Sequence, residues 1–455
     1  MIRISDFWKE HRLPLIVVLT ALCLRLVFML LLSAGHDSVS MTQLFSDTPK
    51  YIGASDYLFG KSQSGQYDLF LVGPGYPFFL GVLTGIFGLT FWPAIIFQII
   101  LSSLSCLLIY KIAIIILDNK PVAFIAGLIS VVSLTSITLA NSVLTETLFF
   151  FLFCLSVHQF FRSLKSDKWS TAVWAGIWGG LAVLVRSVAL VFPFVMILIA
   201  LIYPSRRQDS RCRGIMSRVL VTMLIIFGIS SIWAIRNLAV HDTFVVSDTG
   251  LKAARIYLGA QVMNNERGGR TWELDKVRDS MYESSMIPIH AGDYRRAQTE
   301  TLDFLMYSFR KHPILYIKYY FRNIWDNATA ISSLQNELTP DFRWISIIYY
   351  PVKWGYRMPL MLVLSITGFF VLARRDLAGA ACLLIIMLYF AALSGVTFWQ
   401  GSRVFYPAQI TQTILAAATL LFLYDFAVFG IKKIRSILDT NKKCAIKDSN
   451  LGPAD

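Results

Sequence analysis

Two carboxylates stand where the chain could use them for chemistry at a membrane surface. Asp47 follows a hydrophobic segment and opens a stretch, residues 47–58, whose apolar residues recur at helical spacing. Glu146 starts a long apolar run. A carboxylate at a membrane face can act as a general base that takes a proton from a substrate hydroxyl. Asp47 is therefore the candidate base, and Glu146 is the candidate second acid of the same site.

Each acid also has a purely structural interpretation. An Asp that precedes a helix can accept hydrogen bonds from free backbone N–H groups, as an N-cap. An acid in the first turn is favoured by the helix dipole. From the residues alone both interpretations of Asp47 and Glu146 stay open.

Three arginines occur at the predicted outer ends of apolar segments, where a charge is costly unless it meets a partner or an anion. They are Arg186, Arg236 and Arg403. The guanidinium fork matches phosphate oxygens, so together these residues predict a phosphate clamp. The alternative for each is snorkelling into the headgroup layer. Arg25 lies inside the first apolar segment, and we expect it to pair with an internal acid or carbonyl group.

Composition places these residues in a membrane protein. The chain has 455 residues, of which 56% are hydrophobic and only 15% charged, with a mean hydropathy of +0.59. Soluble proteins carry about 25% charged residues. The net charge of +14 comes from basic residues that cluster in short loops and in the C-terminal tail. That distribution is the positive-inside pattern of a protein whose partners are membrane lipids, and it argues against a nucleic-acid partner.

The motifs also exclude some classes of site. The six His show no HExxH spacing, and neither a CxxC pair, a Walker-type loop nor a GxGxxG is present. We therefore predict no metal site, no cofactor and no soluble nucleotide substrate.

A membrane span needs about 20 apolar residues. The sequence predicts an all-α polytopic protein with about ten transmembrane helices, interfacial helices in its first outer loop and one further large outer loop. The candidate spans are 13–33, 91–117, 121–140, 147–162, 170–185, 188–203, 216–235, 355–373, 377–396 and 405–429.

Residues 76–90 are apolar but short, and the charge bias decides their role. If they do not span, the basic clusters between later spans all fall on the cytoplasmic side with both termini. We therefore expect an interfacial or re-entrant helix at 76–90. In the long outer segment, 293–311 is predicted to be helical, and Pro313 breaks it. Residues 314–325 then form either a helix in the headgroup plane or a packed loop helix.

This organisation divides the chain into four regions. They are a membrane catalytic module at 1–235 with its first outer loop at 34–90, an extracytoplasmic region at 236–345, C-terminal transmembrane helices at 346–430, and a basic cytoplasmic tail at 431–455.

Several motifs in this order resemble the bacterial C-type glycosyltransferases, which include protein O-mannosyltransferases and the lipid A aminoarabinose transferase. The resemblance runs from the first span to about residue 240 and returns at 400–410. It is carried by Ser46-Asp47-Thr48-Pro49-Lys50-Tyr51, Gly73-Pro74-Gly75-Tyr76-Pro77-Phe78-Phe79-Leu80, Thr145-Glu146, Gly179-Gly180-Leu181-Ala182 with Val185-Arg186, Trp233-Ala234-Ile235-Arg236-Asn237 and Arg403-Val404-Phe405-Tyr406-Pro407.

The resemblance implies a C-type fold and transfer of a hexose or pentose from a polyprenyl-phosphate donor to an envelope acceptor, which is a lipid, a glycan or a protein. It places the base on Asp47 and the second acid on Glu146. Two departures leave the identity of the donor open. The family often has Arg-Pro-Pro-Gly-Tyr-Pro, where this chain has Val72-Gly73-Pro74-Gly75, so one basic group is missing there, and the second acid of the family is often Asp, where this chain has Glu146.

The expected reaction is a metal-independent, inverting displacement in the bacterial inner membrane, with the site facing the periplasm or exterior. Asp47 would accept the proton of the acceptor. The residues expected to bind the lipid phosphate and the sugar are Tyr51, Tyr76, Arg186, Arg236 and Arg403. A transporter or flippase is the alternative class, and a polysaccharide polymerase or ligase is a closer one.

Overall fold

The computed structural model describes residues 4–33, 47–63, 65–88, 91–203, 212–330 and 358–449. Every regular element in those residues is helical, as the sequence predicts. Parts of several predictions lie outside the described residues. These parts are 34–46 of the first outer loop, 331–345 of the extracytoplasmic region, 346–357 before the C-terminal helices, and 450–455 of the tail.

The longer helices are numbered α1 to α20 in chain order. Their bounds are Ile4–Ser33, Thr48–Leu58, Gln66–Val72, Gly75–Phe87, Trp92–Leu117, Lys120–Val131, Leu134–Ala140, Glu146–Lys165, Trp169–Val185, Phe192–Ile202, Cys212–His241, Thr249–Ala253, Ala260–Glu266, Leu274–His290, Tyr294–Lys311, Pro313–Thr329, Met358–Ala373, Leu377–Ser394, Ser402–Phe405 and Gln409–Ser449. Shorter turns of 3₁₀-helix lie at Ser187–Val191, Thr271–Glu273 and Tyr406–Ala408, and a π-helix lies at Ala254–Gly259.

The protein is polytopic. Six described helices are long and apolar enough to cross a membrane, and the pair α6 and α7, bent by 53°, makes a seventh candidate. Three further helices at predicted spans are shorter than a span needs, namely α9, Ser187–Ile202 and Pro359–Ala373. The number of about ten spans depends on these three and stays a prediction. Helix α4, at 75–87, is 13 residues long and agrees with an element at 76–90 that is too short to cross.

The core of the bundle lies around α8. This helix packs against α5 and α9, and α9 packs in turn against α11. The Phe side chains of α8 are buried on several sides of the helix, which is typical of a central rather than a surface helix. Phe153, for example, meets Phe192 and Phe390 with ring centroids 4.7 and 5.1 Å apart. The first residue of α8 is Glu146, so the central helix of the bundle carries the second candidate acid.

The residues predicted to lie outside the membrane, called the outer region below, form α12 to α16. The helix predicted at 293–311 is observed as α15, and the break at Pro313 separates it from α16. Asp293 caps α15 by accepting a hydrogen bond from the backbone N–H of Arg296 at 3.0 Å. Helices α12 to α14 were not predicted, because residues 249–290 mix charged and apolar residues without one clear period.

A close approach between α4 and the end of α9 positions Arg186. A Cβ atom on Gly75 would lie 2.7 Å from the backbone nitrogen of Val185 and 2.8 Å from the carbonyl carbon of Leu184. Only glycine fits such a contact without a backbone shift. The Pro-Gly-Tyr-Pro motif therefore brings the start of α4 against the residues that immediately precede Arg186.

We expect Gly75→Ala to lower the thermal unfolding temperature of the detergent-purified protein by several degrees, because the backbone of Val185 must move away. Gly85→Ala is the matched control, since an added Cβ there meets no atom within 4 Å. Equal unfolding temperatures for the two variants would contradict this packing argument.

Candidate active site

The site centres on one arginine that joins the two candidate acids. Arg403 donates from Nη2 to Oδ2 of Asp47 at 2.7 Å and from Nε to Oε1 of Glu146 at 2.6 Å. These residues come from the first loop, the start of α8 and the short helix α19. The structure therefore brings together three sequence motifs that are far apart in the chain.

Glu146 also holds Arg186. Its Oε1 lies 2.7 Å from Nη1 of Arg186, and its Oε2 accepts a hydrogen bond from Thr145 at 3.1 Å. The Glu146 side chain is only 3% exposed, whereas that of Arg186 is 25% exposed. A buried carboxylate thus anchors two arginines whose other donors can face a ligand.

Asp47 occupies the N-cap position of α2, but its side chain makes no capping hydrogen bond. The carboxylate instead faces Arg403 and Lys50, whose ammonium lies 3.4 Å from Oδ1. Burial alone would raise the pKa of Asp47, but the positive charges of Arg403 and Lys50 outweigh burial and lower the pKa to about 2. Asp47 is therefore ionised at neutral pH, as a proton acceptor must be.

A cavity of about 220 Å³ opens beside Asp47. One wall is formed by α2, the end of α9 and residues 397–404. The opposite wall is formed by the outer region, through 247–257 and Tyr282 of α14. The cavity thus lies between the apolar helices and the outer region.

Two lysines that the sequence analysis missed as site residues also line the cavity, Lys50 on the first wall and Lys252 on the second. Lys50 and Lys252 both face the ring of Tyr282, with their ammonium groups 5.6 and 4.8 Å from its centroid. Lys252 is 5% exposed, and its ammonium group also contacts the sulfur of Met286. Lys50 lies inside the Asp-Thr-Pro-Lys-Tyr motif. The signal for Lys252 was a lysine close to Arg255 in the largely apolar stretch GLKAARIYLG.

Positive charge dominates the cavity. Four cationic side chains line it, and Asp47 is the one carboxylate among its lining residues, whereas Glu146 lies behind the wall. The lining cations are Lys50, Arg186, Lys252 and Arg403. An anionic ligand, above all a phosphate, would relieve the mutual repulsion of these groups.

The two candidate tyrosines take different places. Tyr51 lines the cavity, and its ring meets that of Tyr76 edge-on at 5.2 Å. Tyr76 is fully buried and donates its hydroxyl to Gln98 at 2.9 Å, so it supports Tyr51 from behind. Gln98 in turn donates to the carbonyl of Ser142 at 2.7 Å, which ties this aromatic pair to the turn before Glu146.

Arg236 is not brought into the cavity with the other two arginines. Its Nη1 lies 2.9 Å from Oδ1 of Asn237 and 2.9 Å from Nε2 of His241. Its guanidinium also stacks on Trp233 at 5.0 Å. Of the three arginines predicted to form a phosphate clamp, Arg186 and Arg403 line the cavity, together with the two lysines. In the described part of the chain, no group of three or more His, Cys, Asp or Glu residues has the arrangement of a metal site.

A family model described as dolichyl-phosphate-mannose-protein mannosyltransferase matches residues 72–233. Over these residues the chain is similar to that family of glycosyltransferases. The sequence-based resemblance is therefore confirmed. The matched range includes Tyr76, Glu146 and Arg186, whereas Asp47 and Arg403 lie outside it. No curated protein sequence matches the chain.

Solved structures of an Archaeoglobus fulgidus oligosaccharyltransferase share the fold. The apo form is 12% identical with a TM-score of 0.53, and the match covers 95% of this chain and 52% of that chain. The same enzyme, AglB, in complex with an inhibitory peptide and a dolichol-phosphate, is 12% identical with a TM-score of 0.52, covering 98% and 53%. The chain thus spans about half the length of these relatives, and at such identities the likeness shows the fold alone.

The geometry predicts different roles in stability for the two acids. We expect Glu146→Gln to lower the thermal unfolding temperature by several degrees, because it leaves two arginines without their buried counter-charge. Asp47→Asn should lower it less, since the Asp47 side chain is 29% exposed and does not cap α2. Unfolding followed by intrinsic fluorescence in detergent measures both variants. A larger loss for Asp47→Asn than for Glu146→Gln would contradict this assignment.

Proposed function

We propose that the protein transfers a single sugar from a polyprenyl-phosphate donor to a hydroxyl group of a cell-envelope acceptor at the non-cytoplasmic face of the membrane. The observation that carries the proposal is the cavity in which one ionised carboxylate, Asp47, lies among four cationic side chains. The family match over 72–233 favours this chemistry over a transporter or a flippase.

The proposed step is one displacement at the anomeric carbon. Asp47 takes the proton of the acceptor hydroxyl while the acceptor oxygen forms its bond to the sugar. The bond from the anomeric carbon to the phosphate oxygen breaks on the opposite face, and its electron pair leaves with the polyprenyl phosphate. The configuration at the sugar is inverted. A positioned general base contributes about 10²–10⁴-fold to such a rate.

The cations have two tasks in this step. Arg186 and Arg403 are already paired with carboxylates, so they both orient the acids and stabilise the departing phosphate with their remaining donors. Lys252 has no carboxylate within ion-pair distance among the described residues, and we assign it to the phosphate directly. Negative charge on the phosphate grows as the bond breaks. These cations therefore stabilise the transition state more than they stabilise the bound donor.

The low pKa of Asp47 is consistent with a base that is activated by the donor. A carboxylate with a pKa of about 2 holds a proton weakly, because Arg403 and Lys50 stabilise its charge. A donor phosphate competes for the same two cations. Binding of the donor therefore moves the pKa of Asp47 back toward its ordinary value and strengthens it as a base before transfer.

Arg403 supports the proposal of a metal-independent reaction. Its guanidinium lies between Oδ2 of Asp47 and Oε1 of Glu146, 2.7 and 2.6 Å away, where a divalent cation bridging the two acids would otherwise sit. The cavity supplies positive charge to a phosphate from side chains alone. Its volume of about 220 Å³ lies below the range of roughly 300–1,000 Å³ that drug-sized ligands occupy. This suits a hexose or a pentose on a phosphate rather than a long glycan.

The proposal is tested by incubating the purified protein with synthetic polyprenyl-phosphate hexoses and pentoses, an envelope extract and EDTA. We expect release of polyprenyl phosphate and loss of about 10² or more in rate for Asp47→Asn, whose amide cannot take a proton. Asp56→Asn, on the same helix and away from the cavity lining, is the control.

Two results would overturn parts of this proposal. A requirement for a nucleotide sugar, or loss of activity in EDTA, would exclude the donor or the metal-independent step. If Asp47→Asn kept more than about a tenth of the wild-type rate, Asp47 would not be the general base.

A pH profile tests the role of Lys252. Burial lowers the pKa of Lys252 to about 8, even though nearby Asp248 acts in the opposite direction. The lysine therefore loses its charge as the pH rises through about 8, and kcat/KM for the donor should fall in that range. Its other charged neighbours are Lys50, Arg255 and Asp68.

Lys252→Arg is the matched variant for this measurement. Arginine stays charged throughout the range, so the alkaline fall in kcat/KM should disappear or move well above pH 9. An unchanged alkaline limb in Lys252→Arg would show that another group causes it.

A further inference from the structure

Arg25 is a fully buried cation inside the first candidate span, and the proposed reaction does not use it. Its Nε donates to Ser102 Oγ at 2.8 Å and its Nη2 to Ser136 Oγ at 2.8 Å. Among the described residues no carboxylate lies within ion-pair distance of it. All its partners are neutral oxygens or sulfur, namely those of Ala21, Ser102, Cys106, Ser130, Val131 and Ser136. The expected acid partner is thus replaced by carbonyl and hydroxyl groups.

The guanidinium lies at the bend between α6 and α7. Its Nη groups face the last carbonyls of α6, those of Ser130 at 3.5 Å and Val131 at 3.4 Å. Carbonyls at the end of a helix lack helical partners and carry the negative end of its dipole. They therefore offset part of the cost of a buried cation. In return, Arg25 donates hydrogen bonds to the backbone carbonyl groups that lie at the 53° bend.

Helix α7, which Arg25 contacts through Ser136, leads to the candidate active site, and so does the segment around Tyr406 that Ser136 contacts in turn. Helix α7 runs through the turn at 141–145 directly into Glu146. Ser136, which accepts from Arg25, also lies 3.3 Å from the hydroxyl of Tyr406, three residues after Arg403. Ser133, three residues before Ser136, donates to the side-chain oxygen of Gln409 at 3.0 Å. Arg25 thus contacts the segment that carries Glu146 and, through Ser136, the segment that carries Arg403.

We propose that Arg25 is a positioning residue for the Glu146–Arg403 pair. From inside the membrane it fixes the bend that places Glu146, and through Ser136 and Tyr406 it fixes the start of the helix that follows Arg403. It touches neither substrate nor reacting atoms. The catalytic part of this inference rests on the proposed function, but the structural coupling between Arg25 and Glu146 does not.

Arg25→Lys is the decisive variant. It keeps the charge, but one ammonium group cannot replace a fork that reaches three helices. We expect kcat to fall about tenfold or more, since small displacements of catalytic groups are costly, while the donor KM stays within about threefold. Tyr406→Phe should also lower kcat, and the two losses should be less than additive, because both act through Ser136.

Arg218→Lys is the matched control. Arg218 is also a buried arginine on a membrane helix, with contacts to the carbonyl of Ser163 at 3.1 Å and to Asp167 at 3.5 Å. These lie at the end of α8 opposite to Glu146. We expect Arg218→Lys to leave kcat near the wild-type value when its unfolding temperature equals that of Arg25→Lys. Equal losses of kcat in Arg25→Lys and Arg218→Lys would reduce Arg25 to a general stabilising residue.

A second measurement needs no enzymatic activity. The drop in unfolding temperature caused by Glu146→Gln should be smaller in the Arg25→Lys background than in the wild type, because the pair would already be displaced. In the Arg218→Lys background that drop should be unchanged. An unchanged drop in both backgrounds would overturn the positioning role. Absence of transfer with every donor, together with coupling in this cycle, would instead count against the proposed function alone.

Discussion

The bridge from Arg403 to Asp47 and Glu146 is the interaction on which the rest of the site depends. It closes contacts over 356 and 257 residues of chain, so the membrane helices between them must be in place before it can form. Two carboxylates held close together repel each other, and at low dielectric that repulsion would expel one of them or protonate it. The guanidinium of Arg403, which both carboxylates share, offsets this repulsion. Both acids can then stay ionised beside a cavity at the membrane edge.

The same bridge limits what the resting site can do. Each cation that pairs with Asp47 makes it a weaker base, and each carboxylate that pairs with an arginine makes that arginine a weaker phosphate ligand. In the proposed reaction a donor phosphate would exchange partners in both groups, so part of its binding energy would be used to prepare the base. Lys252, which lies on the opposite wall beside Tyr282, would offer that phosphate a cation that is not paired with either acid. Under the proposal, the outer region would thus contribute to the chemistry as well as cover the site.

Sequence reasoning could predict most of the membrane helices, because a span is a property of length and apolar composition. It could also indicate Asp47, Glu146, Arg186 and Arg403, since charges next to apolar runs are costly and few. It could not separate Arg236 from the other arginines. Depth in the membrane follows from position in the chain, but the direction of a side chain depends on how helices pack, and Arg236 faces Trp233 and His241. Lys252 was missed because its segment has no clear apolar period to mark it.

Arg403 itself must be held in place, and this requirement links the outer region to the two candidate acids. Asn327 of α16 is fully buried and donates to the carbonyls of Thr397 at 2.6 Å and Ser394 at 2.9 Å. Its side-chain oxygen accepts from the backbone N–H of Gly401 at 2.9 Å. One amide thus fixes both ends of the loop that precedes Arg403, while Arg25 and Tyr406 hold the helix that follows it. Because the arginine is fixed from both sides, the wall formed by α12 to α14 can differ in shape without moving Arg403 or the two acids that it holds. In the proposed reaction, the choice of acceptor could therefore vary while the displacement at the sugar stays the same.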